Sequence, residues 1–124
     1  SSTRTRRPAV HELSIAMSLI DIAREEARRR NAQRVLAVHV RVGPMAGVVV
    51  EALESAFEVA RAGSDLADSR LVVETPPLTA RCPACERTTD VRSISEMQCA
   101  ECGSPVSDLV TGRELEMTAM EIDE

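Results

Sequence analysis

An α+β fold is predicted by three features of this chain. Two segments carry apolar residues at helical spacing, three short segments alternate as strands do, and a pair of cysteine knuckles sits between the last two strands. Taken in order these read αβαβ, cysteine module, β. The architecture expected is two helices on a three-stranded sheet, with an inserted zinc-ribbon module before the final strand.

The first helix is read over residues 13 to 30. Ile15, Ala16, Leu19, Ile20, Ala23 and Ala27 recur at three- and four-residue steps and line one face. Arg28, Arg29 and Arg30 suit the negative end of the helix dipole, and Asn31 suits a left-handed stop. RVLAVHVRVG then changes period: Leu36, Val38, Val40 and Val42 share one face while His39 and Arg41 share the other, a half-buried strand closed by Gly43-Pro44. A second helix covers roughly 49 to 61, with Val50, Leu53, Ala56, Phe57 and Ala60 inward and Gly63 as its stop. LVVE at 71–74 is a short strand, and Pro76-Pro77 marks a boundary. After the cysteine segment at 80–108, Gly112 introduces RELEMTAMEI, the last strand. Its apolar phase runs through Leu115 and Met117 and slips before Met120 and Ile122, as a bulge near Thr118 produces.

Composition narrows the class. The chain has 124 residues, 44% of them hydrophobic, with no apolar run long enough for a membrane span and no apolar segment after the basic start to serve as a secretory leader. A cytoplasmic setting is expected, in which four cysteines read as metal ligands before disulfides. Phe57 is the only aromatic residue, so the core is aliphatic. The net charge is −5, and setting aside Arg4, Arg6 and Arg7 of the first nine residues leaves −8 for the rest. An acidic body argues against nucleic acid as a partner, since that binding rests on basic patches. Nothing resembles a P-loop or a Ser-His-Asp set, so an enzyme is not expected.

The strongest chemical signal is RCPAC at 81–85 and QCAEC at 98–102. Cys82 and Cys85 are two residues apart, as are Cys99 and Cys102, with thirteen residues between the pairs. Each knuckle aims two thiolates at one point, and two knuckles make a tetrahedron suited to Zn²⁺. Four thiolates leave no open position for water, so the site is read as structural rather than catalytic. Few apolar side chains lie in this segment, and metal binding, worth roughly 10–16 kcal/mol in structural zinc sites, is expected to organise it. Iron at the same geometry, giving an electron-transfer protein, is disfavoured by the missing aromatic residues. A ribbon acting as a protein- or nucleic-acid-interaction module is the alternative reading. It would need a basic surface, whereas residues 82 to 105 carry only Arg87 and Arg92 against Glu86, Asp90, Glu96 and Glu101.

The pair His11-Glu12 opens the first helical segment. Read alone, Glu12 is an acid in the first helical turn, favoured by the dipole, and His11 a solvated side chain. Its setting adds more. VHELSIAMSLIDIAREEA, then RVLAVHVRVGPMAGV, ESAFEVARAGS, the two knuckles and GRELEMTAMEI together resemble the HypA/HybF family of hydrogenase nickel-incorporation proteins, in order and spacing from Val10 almost to the last residue.

The resemblance implies a nickel metallochaperone with an α+β nickel-binding domain at 10–78 and 109–124 and a zinc-binding module at 79–108. It implies that His11 and Glu12 are the nickel pair, since family chains begin Met-His-Glu. Ni²⁺ accepts square-planar ligation from a terminal amine, backbone amides and an imidazole without a built cavity. The implied partners are a nickel-handling accessory GTPase, the large subunit of a [NiFe] hydrogenase and, by extension, urease accessory proteins, with the chain a monomer or homodimer. Two departures stand out. Val10 occupies the place of the initiating Met, so residues 1–9 are read as a disordered tail or a misassigned start ahead of a GTG codon. The all-arginine basic set, typical of GC-rich coding, fits such a codon. Val49 and Val50 replace the usual acidic residue and proline, leaving the second helix without a good N-cap or a proline at its first position. His39 is read as a solvated or hydrogen-bonded side chain and not as a ligand.

Overall fold

The computed structural model describes residues 6–123, with side chains from His11 onward. Its elements run α1 (Arg6–Arg29), β1 (Arg34–Val42), α2 (Val50–Arg61), β2 (Arg70–Glu74), β3 (Thr79–Cys82), β4 (Arg87–Asp90), β5 (Asp108–Thr111) and β6 (Leu115–Asp123). The strands form two sheets, ordered β2-β1-β6 and β4-β3-β5. The α+β class and the order αβαβ, module, β are those expected from the sequence.

Helix α1 begins well before residue 13. Pro8 does not prevent this, because N–H groups of a first helical turn have no intrahelical acceptor and a proline there loses nothing. Of the stretch read as a tail, residues 1–5 lie outside the described residues and 6–9 belong to α1. Glu12 therefore does not stand in the first turn, which holds no acid. At the other end the expected stop is present: Asn31 has φ 55. The Ala32 N–H donates to Ala27 O at 2.9 Å and the Asn31 N–H to Arg28 O at 3.2 Å, the paired bonds of a Schellman close.

Two compact units emerge, residues 6–40 with 48–74 and 116–123, and residues 41–47 with 75–115. In the first, α1 buries Ala16, Leu19, Ile20 and Ala23, while α2 buries Leu53, Ala56 and Phe57. Full burial is worth about 1.5–3 kcal/mol for a side chain such as Leu53 or Phe57. Strand β1 buries Val35, Ala37, Val38 and Val40, so its alternation breaks at Ala37–Val38. Strand β6 also breaks phase, with Met117, Met120 and Ile122 half-buried, the slip expected before Met120. Helix α2 ends just before Gly63, as expected, without a left-handed glycine. The helix closes on Ala62 in a right-handed conformation, and Ser64 Oγ caps it by donating to Arg61 O at 2.9 Å.

In the second unit β3 pairs antiparallel with β4, Thr79 opposite Asp90 through Cys82 opposite Arg87, and on its other edge with β5. Contrary to the expectation of a segment with no core, Leu78, Ala80, Cys82, Val91, Cys99 and Val106 cluster here, with Met45, Met97 and Leu109 packed against them. The shortfall of apolar residues within 80–108 is made up by Leu78 and Leu109 at its margins and by Met45, far away in sequence. Met45 is held there by its N–H donating to Gly112 O at 2.5 Å, and Gly43 N–H donates to Glu114 O at 2.8 Å.

Candidate metal centre

The two C-x2-C segments fold into the same turn twice. Glu86 N–H donates to Cys82 O at 2.8 Å and Gly103 N–H to Cys99 O at 2.9 Å, each closing a loop from the first cysteine to the residue after the second. That closing residue has φ 56 at Glu86 and φ 76 at Gly103. The left-handed conformation is natural to glycine and adverse to glutamate. Inside each turn an amide points at the first sulfur: Cys85 N–H to Cys82 Sγ and Glu101 N–H to Cys99 Sγ, both at 3.4 Å. The second turn is tied to β4 by the buried Thr89, whose Oγ1 accepts from Ala100 N–H at 3.0 Å.

The turns bring all four sulfurs within 4.8 Å of one another. Cys82 Sγ and Cys102 Sγ are 3.6 Å apart, and Cys85 Sγ and Cys99 Sγ 3.9 Å. A tetrahedral ion with metal–sulfur bonds of about 2.3 Å requires sulfur separations of about 3.8 Å, so the cluster is already the right size. These distances are far too long for disulfides, and the cysteines are free.

The thiols are not equivalent. Amide donors from Cys102 and Glu101 hold Cys99 down to about 6, and the Ser104 hydroxyl and amide lower Cys102. Cys85 is pushed up to about 12 by its hydrogen bond to Cys102, then by desolvation and by Cys99 and Cys82. Thiolates already formed discourage the next, and only a cation at the centre lets all four ionise together.

His11 and Glu12 fare differently. His11 is exposed on α1, whereas Glu12 is wholly buried. Successive side chains on a helix diverge, and the two do not face each other. Glu12 Oε2 accepts from Val49 N–H at 2.8 Å, and Oε1 has no partner among the described residues. The sequence reading overlooked this inward turn, although the signal was present: Glu12 lies four residues before Ala16 and seven before Leu19, on the buried stripe. His39 is hydrogen-bonded, its Nε2 2.6 Å from Glu121 Oε2, with Arg70 Nη2 at 3.4 Å from the same oxygen. In the ribbon, Arg87 pairs with Glu101 and Arg92 with Glu96, both at 3.6 Å and both exposed to solvent.

A helix-on-sheet unit joined to a four-thiol ribbon defines a small metal-binding protein of mixed class. Residues 10–122 match the family model described as hydrogenase/urease nickel incorporation, metallochaperone, HypA. The chain belongs to this family. It is 40% identical over 115 residues to the hydrogenase maturation factor HypA of Roseiflexus sp. (strain RS-1), covering 93% of this chain and 94% of that one. To the factor of the same name from Chloroflexus aggregans it is 38% identical over 112 residues, covering 90% and 98%. Among solved structures, the nickel metallochaperone HypA from Helicobacter pylori shares the fold with a TM-score of 0.62 at 24% identity, over 90% of this chain and 97% of that one. A second HypA solution structure gives 0.67 at 25% identity, over 91% and 96%. Among the described residues no helix is long and apolar enough to cross a membrane.

Proposed function

We propose that this protein is a non-enzymatic nickel metallochaperone of the cytoplasm. It takes up Ni²⁺ at His11-Glu12 and hands it, with a nickel-handling accessory GTPase, to the large subunit of a [NiFe] hydrogenase, and in the same manner to urease accessory proteins. The single observation carrying this reading is the family match over residues 10–122, which starts at the Val-His-Glu stretch. The metal of Cys82, Cys85, Cys99 and Cys102 is then Zn²⁺, because four thiolates at tetrahedral spacing suit that ion and leave it no reactive position. It supplies shape rather than chemistry.

Nickel is cargo, so its site must form and dissolve. The main-chain amides of His11 and Glu12 lie within the helical ladder of α1. Square-planar ligation through those amides goes with an opened helix start, whereas ligation by the His11 imidazole and oxygens other than the buried Glu12 carboxylate leaves α1 intact and gives a six-coordinate ion. Calorimetry and visible absorbance during Ni²⁺ titration separate the two. Three forms are compared: the full chain, a chain starting with Met in place of Val10, and its His11→Ala variant. The Met-start form is expected to bind more tightly and with the square-planar band, and His11→Ala to lose both. Affinity indifferent to the start and to the histidine would remove the site.

A further inference from the structure

The N-terminus of α2 lacks a cap of its own. Val49 stands at the N-cap, extended at φ −87 and ψ 114, with no side-chain acceptor to offer. The residue three positions on is Ala52, not the Glu or Gln that would reach back to the N-cap amide in a capping box. Yet the Val49 amide is satisfied, by Glu12 Oε2 at 2.8 Å from 37 residues earlier in the chain. Glu12 is fully buried on the stripe that α1 otherwise fills with Ala16, Leu19, Ile20 and Ala23. A carboxyl group buried at such a position is costly unless something accepts its polarity, and the amide-rich start of a helix does.

We infer that Glu12 caps α2 in trans, and that it serves the nickel site by positioning the His11 turn against α2 rather than by ligating with its carboxyl group. The second half rests on the nickel reading above; the first does not. The exposed His11 and the inward Glu12 cannot bring both side chains to one ion while α1 stays helical. Glu12 Oε2 is already engaged, and Oε1 is enclosed among the packed side chains. What Glu12 fixes is the place of its own turn, and hence of its neighbour.

The test uses the full chain with three readouts: amide hydrogen exchange at Val49, thermal unfolding, and Ni²⁺ calorimetry. Glu12→Gln keeps an acceptor for Val49 and puts an amide NH₂ where Oε1 had no partner. It is expected to hold Val49 protection and nickel affinity within about threefold of the native chain. Glu12→Ala is expected to speed Val49 exchange about tenfold, lower Tm by about 3–8 °C and weaken nickel binding. Glu12→Asp, whose shorter side chain draws the carboxylate away from Val49, is expected to speed exchange too and serves if the alanine variant does not fold. His11→Ala is expected to lose nickel while leaving Val49 protection and Tm unchanged. Val49 exchange unmoved in the alanine and aspartate variants overturns the cap. Nickel lost in Glu12→Gln as fully as in His11→Ala, with Val49 still protected, makes the carboxylate a ligand and overturns the positioning role. So does nickel affinity unchanged in Glu12→Ala. If neither the full chain nor the form starting with Met in place of Val10 binds nickel, the nickel reading and the positioning role fall together, and Val49 exchange still decides the cap.

Discussion

At the scale of single residues, position matters more than residue type. His39 and Glu121 form a bonded pair across β1 and β6, and the bond from His39, with help from Arg70, holds the Glu121 carboxyl below its ordinary range. A carboxyl whose pKa is lowered by folding stabilises the fold above its unfolded pKa, and that stabilisation fades as pH falls through the folded value. Glu121→Gln is therefore expected to flatten the loss of stability on the acid side, below about pH 4.5, in denaturant melts taken across pH. Gly43 is constrained by space: a Cβ there would strike the carbonyl group of Gly112. Gly43→Ala is expected to cost about 1–3 kcal/mol in chemical unfolding, because main chain rather than a flexible side chain must yield. At the cysteines, Cys85 is held near 12 while Cys99 is lowered to about 6, so metal uptake at neutral pH must strip the proton from Cys85. Calorimetry in buffers of differing ionisation heat is expected to show that release.

Among elements, the periodic signals were legible and the interruptions were not. The apolar stripe of α1, the alternation of β1 and the equal spacing of the knuckles follow from repeating geometry, which a sequence displays directly. The start of α1 was hidden because Pro8 reads as a breaker, whereas in a first turn it is harmless. The inward turn of Glu12 was hidden because an acid breaks the apolar pattern that marks a buried stripe. Gly63 marks the end of α2 as expected, but the closing side-chain bond comes from Ser64. The weak start of α2 was legible from Val49 and Val50, and it yields a direct expectation. Val49 is extended, the conformation favoured before a proline, and Val50 is the first helical residue, where an N–H is dispensable. Val50→Pro is expected to stabilise by about 0.4–1 kcal/mol. A thermal melt unchanged or lowered would show that the Val50 side chain or amide has a role beyond helix entry.

The whole molecule joins two units of unequal self-sufficiency. The first carries both helices and the larger apolar core. The second has six buried residues in its cluster, two of them the cysteines themselves. Chelation of the metal is expected to unfold the second unit, with loss of amide protection over β3, β4 and β5, while the helical circular dichroism of α1 and α2 persists. Loss of both signals together would mean that the first unit depends on the metal too. The family was readable because its segments recur in order across nearly the full chain, although no one of them decides it. The borders of the second unit were not, because Met45 joins its core from a loop whose sequence, GPMAG, gives no hint of a distant partner.

That distant recruit bears on how such proteins are shuffled, by evolution or by design. The ribbon looks like a cassette that could be cut at its two ends and moved into a relative. It is not one, because residues 41–47 fold with 75–115. A transplanted ribbon without its matching GPMAG loop would arrive with a hole where Met45 belongs, so chimaeras need four crossovers, two around each segment, rather than two.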